Sequence, residues 1–162
     1  MDKNNLNIRL ATLKDIETLF SLIKALADYE KLSHEVIGNI ENLEKHLFGN
    51  PVYAEAIIAE LDHKSVGFAL FFTNYSTFLT KPGIYLEDLF VLPEYRRQGI
   101  GKTLLNFLID LAKKRNFGRV EWSVLDWNKS AIDFYEKMGA KVLPDWRTCR
   151  VIINNPPIFE EL

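Results

Sequence analysis

The sequence has few of the side chains that form disulfides or bind metals. Its one cysteine is Cys149, so no disulfide can form within the chain, and nothing in the cysteine content points to secretion. A lone cysteine without a nearby histidine is more typical of packing than of a nucleophile. The three histidines, His34, His46 and His63, lack the spacing of metal ligands. We therefore expect neither a disulfide nor a metal site.

Excess charge and long apolar runs are also scarce. The 162 residues carry a formal net charge of −2, which argues against a broad surface for nucleic acid or another polyanion. The longest apolar run, VGFALFF at residues 66–72, is far too short to span a bilayer, and no apolar run typical of a signal peptide follows Asp2. We expect one cytoplasmic domain over residues 1–162.

Hydrophobic periodicity, in contrast, is present along the whole chain. Strand patterns lie at residues 6–11, 53–61, 65–75, 84–91, 119–125 and 147–153, with a hairpin signal at 62–64 and a turn signal, TKPG, at 80–83. Helical patterns run from Thr12 to Tyr29, from Asn39 to Gly49, from Gly99 to Lys114, and over 128–139. This order predicts a mixed, mostly antiparallel sheet with helices on its faces, in the α/β or α+β class.

The stretch RRQGIGKTLL, residues 96–105, ends like an ATP-binding P-loop but has the wrong spacing. A P-loop needs a glycine where Arg96 stands, and a dinucleotide fingerprint needs one where Leu104 stands. What remains is Arg96-x-x-Gly99-x-Gly101 between a strand pattern and a helix pattern. Glycines let a backbone approach a ligand closely, and a helix start favours phosphate. The residues alone leave two interpretations open, a phosphate cradle or a solvated basic turn.

Two motifs together resemble the GNAT superfamily of N-acetyltransferases. Arg96-x-x-Gly99-x-Gly101 after LFVLPEYR is similar to the superfamily's acetyl-CoA-binding motif, and NKSAIDFYEKMGA at 128–140 is similar to its N-x-x-[SA]-x-x-[FL]-Y-x-x-x-G signature. Shorter stretches narrow the resemblance to the diamine (spermidine/spermine) and thialysine acetyltransferases: ADYEKL, YLEDLFVLPEYR, DWNKSAIDFYEKMGA and DWR. Arg97 departs from the pattern, because many members carry glycine there.

The resemblance implies the GNAT fold, acetyl-CoA as cosubstrate, no metal, and a homodimer. It also implies direct transfer of acetyl to a primary amine of a small cationic acceptor, such as a polyamine, a diamine or thialysine. The cofactor would contact the strand before the turn, the turn itself and the start of the last helix. The residues implied there are Leu89, Phe90, Val91, Arg96, Arg97, Gln98, Gly99, Ile100, Gly101, Lys102, Asn128 and Ser130.

Acetyl transfer to an amine also needs a proton acceptor, because an aliphatic ammonium has a pKa of about 10.4. Glu87 and Asp88 are adjacent in a strand pattern, so a regular strand would place them on opposite faces of the sheet. The resemblance makes Glu87 a catalytic residue beside the substrate amine, and Asp88 a residue that orients the site or a second amine. The alternative is a pair of solvated acids at a strand edge.

The leaving thiolate needs a proton donor, and the phenol of Tyr135 in the second motif has a suitable pKa for that role. The resemblance implies further substrate contacts at Tyr29, Glu30, Asp145 and Trp146. By themselves, Tyr29 and Glu30 would be an ordinary helix end. Asn128 either binds the cofactor or caps its helix, and the two roles are compatible.

Three other functions stay open at this point. The acceptor could be an amino acid, a protein lysine or a protein N-terminus. The fold could also serve a non-catalytic acyl-CoA sensor, although a sensor needs neither Glu87 nor Tyr135. A P-loop nucleotide hydrolase is the weakest alternative, because Arg96 breaks its register.

Overall fold

Residues 5–153 are described by a computed structural model, in which one sheet follows the order of the chain. Its strands are β1 Leu6–Leu10, β2 Glu55–Leu61, β3 Lys64–Ser76, β4 Lys81–Val91 and β5 Val120–Trp122, in the spatial order β1-β2-β3-β4-β5. Neighbouring strands are antiparallel except β4 and β5, which are parallel. The expected mixed, mostly antiparallel sheet is confirmed.

The described helices follow a polar residue that the sequence marks as a cap, except the third, which follows Gly99. They are α1 Ile16–Tyr29, α2 Ile40–Phe48, α3 Ile100–Lys114 and α4 Lys129–Lys137. Before α1, the Asp15 carboxylate accepts a hydrogen bond from the Thr12 N–H at 2.7 Å. Before α2, Asn39 Oδ1 accepts one from the Asn42 N–H at 2.8 Å. These contacts satisfy N–H groups that have no partner within a helix.

The core lies on both faces of the sheet. One apolar cluster joins α1 and α2 to alternate strand residues, among them Ile58 on β2, Phe68 on β3 and Phe90 on β4. Residues between those positions, such as Ile57 on β2, are equally buried but point the other way, where α3 contacts the sheet. Side chains therefore alternate between two covered faces, as expected for a sheet flanked by helices.

The described residues form two compact units. The first ends at Ser123 and holds the sheet with α1, α2 and α3, and the second begins at Val124 and holds α4. That the whole chain is one N-acetyltransferase domain stays a prediction.

The strand expected at 147–153 is wrong, because the structure assigns no strand to these residues. The apolar side chains of Val151, Ile152 and Ile153 are at least 63% exposed. An alternating pattern shows only that a segment can be extended, whereas a strand also needs a neighbour to complete its hydrogen bonds. The strand expected at 119–125 is likewise shorter, since only Val120–Trp122 pair with β4.

The turn expected at TKPG is displaced toward the N-terminus. The turn occupies residues 77–80, and β4 already begins at Lys81, so that Pro82 pairs with Tyr75 of β3. Proline is tolerated this close to a strand end, where one missing N–H costs little. The hairpin between β2 and β3 is where the sequence places it, with Asp62 and His63 both at positive φ.

Candidate active site

The turn between β4 and α3 exposes backbone N–H groups at a helix start. Gly99 precedes α3 with φ of +81°, a conformation that favours glycine. The first helical bond runs from the Thr103 N–H to the Gly99 carbonyl at 3.0 Å, so the N–H groups of Ile100, Gly101 and Lys102 come before it. The first turn of α3 carries no acidic residue. This arrangement suits an anion.

The side chains of this turn differ in exposure. Arg97, Gln98 and Lys102 are exposed, whereas Ile100 is buried and can offer a ligand only its backbone. Arg97 has φ of +61°, which explains why glycine suits its position. Arg96 is half-buried and turns inward, with its Nε–H donating to the Val91 carbonyl at 2.9 Å. Its side chain thus lies against the end of β4.

A β-bulge in β4 changes the expected direction of its two acids. Leu70 of β3 pairs with Asp88 and Phe71 pairs with Leu86, which leaves Glu87 as an extra residue without a partner on β3. Partners share a face, and Leu70 packs against the cluster of α1 and α2. Asp88 therefore faces α1 and α2, and the strict alternation expected for Glu87 and Asp88 does not apply.

The bulge creates a cluster of three carboxyl groups. Burial, and after it the nearby charges of Glu87 and Glu30, raise the pKa of the Asp88 carboxyl to about 7. Burial also raises the pKa of Glu30, while Glu87 is exposed. A carboxyl with such a pKa can take up and release a proton near neutral pH. The sequence gives no signal for this, because the bulge depends on pairing with β3.

Glu30 is held in place by the way α1 ends. The Leu32 N–H donates to the Ala27 carbonyl at 2.8 Å and the Lys31 N–H to the Asp28 carbonyl at 3.0 Å. These two bonds form a Schellman motif, with Lys31 in the left-handed region at φ of +62°. Tyr29 and Glu30 thus lie at a fixed helix end, on the side of the sheet that Asp88 faces.

Past the bulge, β4 no longer pairs with its parallel neighbour. Among the described strands, β5 pairs only with Ile84, Tyr85 and Leu86, while Asp88 through Val91 pair with β3. The opposite backbone edge of Leu89–Val91 therefore has no described strand beside it. An extended ligand can bind to such an edge through main-chain hydrogen bonds.

The second unit carries the remaining predicted site residues. Asn128 is buried and caps α4, with its Oδ1 accepting from the Ala131 N–H at 3.2 Å, so the capping interpretation is confirmed. Tyr135 is half-buried and its ring contacts Phe134 at 5.2 Å between centroids. The other three residues are exposed: Ser130, Asp145 and Trp146. Their roles toward cofactor or substrate stay predictions.

Residues 5–153 lack two features that would point to other functions. They contain no group of three or more His, Cys, Asp or Glu side chains placed to hold a metal ion. Nor does any helix in that range have the length and apolar composition needed to cross a membrane.

Comparison with known proteins places these features in one family. Residues 19–140 match the acetyltransferase (GNAT) family. The chain is 34% identical to an L-ornithine N5-acetyltransferase of Arabidopsis thaliana over 89% of this chain and 83% of that protein, and 36% identical to a thialysine N-epsilon-acetyltransferase of Sus scrofa over 88% and 90%. An aminoglycoside acetyltransferase structure from a soil metagenome shares the fold, with a TM-score of 0.77, 23% identity and coverage of 92% and 97%. The chain belongs to the GNAT family and is an N-acetyltransferase.

Proposed function

We propose that the chain transfers acetyl from acetyl-CoA directly to a primary amine of a small cationic acceptor. Diamines, polyamines and diamino acids such as ornithine or thialysine are the acceptors we favour. The observation that carries this choice is the cluster of Glu30, Glu87 and Asp88, whose negative charge attracts ammonium groups. Two relatives whose names specify ornithine and thialysine support the same class of acceptor.

The cofactor binds to backbone more than to side chains in this proposal. The N–H groups of Arg97 through Lys102 hold the pyrophosphate at the start of α3. The pantetheine arm lies along the backbone edge of Leu89–Val91 that does not pair with β5. The Val91 N–H then faces the thioester oxygen, where negative charge develops during attack.

The proton steps follow from the positions of the acids. The acceptor enters as an ammonium, and the Asp88 carboxylate takes one proton to leave a neutral amine. The amine nitrogen attacks the thioester carbonyl carbon, and the carbon–sulfur bond breaks as the amide forms. The nitrogen loses its second proton to Glu87 or water, while the Tyr135 hydroxyl gives a proton to the departing sulfur. Glu30, at the helix end, anchors a second positive group.

The acceptor class is tested by measuring thiol release from acetyl-CoA with a matched series of amines. The series contains 1,5-diaminopentane, spermidine, ornithine and thialysine, with pentylamine as the control that lacks a second charge and a lysine peptide as the control for protein acceptors. We expect kcat/KM to be higher for 1,5-diaminopentane than for pentylamine. Tight acetyl-CoA binding without release for any amine would instead favour a sensor.

A further inference from the structure

Arg96 makes contacts that the proposed cofactor role does not explain. Its Nε–H donates to the Val91 carbonyl at 2.9 Å, and its backbone N–H donates to the Pro93 carbonyl at 3.2 Å. Its guanidinium carbon lies 4.2 Å from the ring centre of Tyr29 and 5.4 Å from that of Phe90. The side chain therefore contacts both the end of α1 and the end of β4.

These contacts join three parts of the candidate site. Val91 ends β4, the strand proposed to bind the thioester. Tyr29 and Glu30 lie at the end of α1, the helix proposed to bind the acceptor. Arg96 is the first residue of the turn proposed to bind the pyrophosphate. The rings of Tyr29 and Phe90 also contact each other, with centroids 6.3 Å apart. One planar cation thus spans the gap between a strand end and a helix end.

We propose that Arg96 is a positioning residue that fixes the acceptor wall of α1 relative to the thioester strand, and that it is not a phosphate ligand. The inference rests on the proposed function for the identity of the acceptor. Among cationic side chains, only arginine can donate from Nε while its guanidinium lies over a ring. A lysine would keep the positive charge, but its single ammonium could not take the place of both the Nε–H and the guanidinium plane.

Arg96→Lys separates the two roles. A phosphate ligand tolerates lysine, because lysine supplies the same charge to the cofactor. A positioning residue does not tolerate lysine, because lysine cannot make the same contacts. For Arg96→Lys we therefore expect the dissociation constant of acetyl-CoA to change by less than about twofold. We expect kcat/KM for the acceptor to fall roughly tenfold, mainly through a higher KM. Lys102→Gln is the matched comparison, since it removes charge from the same turn and leaves the Arg96 contacts intact. It should weaken acetyl-CoA binding more than it changes acceptor KM.

The measurements are calorimetry with acetyl-CoA and steady-state kinetics with 1,5-diaminopentane. A second readout, amide exchange in the peptide covering residues 27–32, needs no acceptor and should be faster in Arg96→Lys than in the unchanged chain or Lys102→Gln. Either of two results would overturn the proposal. One is amide exchange in Arg96→Lys that does not differ from the unchanged chain. The other is acetyl-CoA binding that survives in Arg96→Lys but is lost in Arg96→Gln, with a normal KM for the acceptor. If no amine is acetylated by the unchanged chain, the proposed function fails, and the exchange result still decides the role of Arg96.

Discussion

At the residue scale, the half-buried carboxyl of Asp88 is the group that we propose accepts the proton of the ammonium. Its pKa is raised to about 7, so it is protonated in acid and ionised above neutrality. We expect kcat/KM for a diamine to rise through about pH 7 and then level off. Asp88→Asn cannot take the proton, so activity should fall by about 10²–10⁴-fold. The rise of kcat/KM near pH 7, which we call the step, should disappear from its pH profile. A pH profile of both proteins measures this.

Glu87→Gln is the control for the same experiment. Because the charge of Glu87 raises the pKa of Asp88, its removal should move the step to lower pH without abolishing it. If Glu87→Gln abolishes the step and Asp88→Asn keeps it, Glu87 is the proton acceptor.

Tyr135 is the residue proposed to protonate the departing sulfur. Tyr135→Phe removes one oxygen and keeps the ring that contacts Phe134, so the fold and the acetyl-CoA dissociation constant should survive. A thiolate already leaves fairly well near neutral pH, so we expect a loss of about a hundredfold in kcat. The loss should shrink with a thioester whose thiol is more acidic. Equal kcat for both proteins, where chemistry limits the rate, would leave Tyr135 as a packing residue.

At the scale of helices and strands, features set by residues close together in the chain could be predicted from the sequence, whereas the pairing of strands could not. Asn39 and Asn128 cap helices by contacts within three residues, and a sequence displays both partners. The extra residue Glu87 and the missing strand at 147–153 depend on what lies beside a segment. The acids of the candidate site could therefore be proposed from the sequence, but the raised pKa of Asp88 could not be predicted from it.

Helix ends offer a stability prediction at this scale. Three helices end with a residue in the left-handed region: Lys31 after α1, Asn116 after α3 and Gly139 after α4. Glycine adopts that region without strain, asparagine tolerates it, and lysine does not favour it. Lys31→Gly should raise the free energy of unfolding by roughly 0.5–1 kcal/mol, and Asn116→Gly by less. Urea unfolding of both variants tests this, with Lys31→Ala as the control that should bring no such gain.

At the scale of the whole molecule, two aspartates give stability opposite dependences on pH. The Arg9 guanidinium donates two hydrogen bonds of 2.8 Å to Asp15 and holds the pKa of that carboxyl well below its usual value. Asp15 therefore contributes stability above its unfolded pKa, and that contribution is lost as the pH falls. Asp88 has its pKa raised from the usual 3.8 to about 7. Asp88 therefore lowers stability as the pH rises from its usual pKa toward its raised one.

The sign for Asp88 follows from which state holds the proton. Between its unfolded and folded pKa values the folded chain keeps a proton that the unfolded chain has released, so the free energy of unfolding falls as the pH rises from about 4 to about 7. Asp88→Asn removes this penalty. One pKa unit corresponds to about 1.4 kcal/mol, and solvent screens the charge of a half-buried group. We therefore expect the free energy of unfolding of Asp88→Asn to exceed that of the unchanged chain by roughly 1–3 kcal/mol near pH 8.

Urea unfolding near pH 4 and near pH 8 tests the sign for Asp88, and a further measurement well below pH 4 tests the sign for Asp15. Asp88→Asn should differ little from the unchanged chain in acid and be more stable in base. Asp15→Asn should be less stable near pH 8 and near pH 4 alike, with the deficit shrinking only as the pH falls well below 4 and the unchanged chain protonates Asp15. An Asp88→Asn variant destabilised equally at both pH values would mean that the folded chain does not hold a proton on Asp88. The same result would remove the basis for treating Asp88 as the proton acceptor, because a carboxyl without a raised pKa would already be ionised throughout the acidic limb of the rate profile.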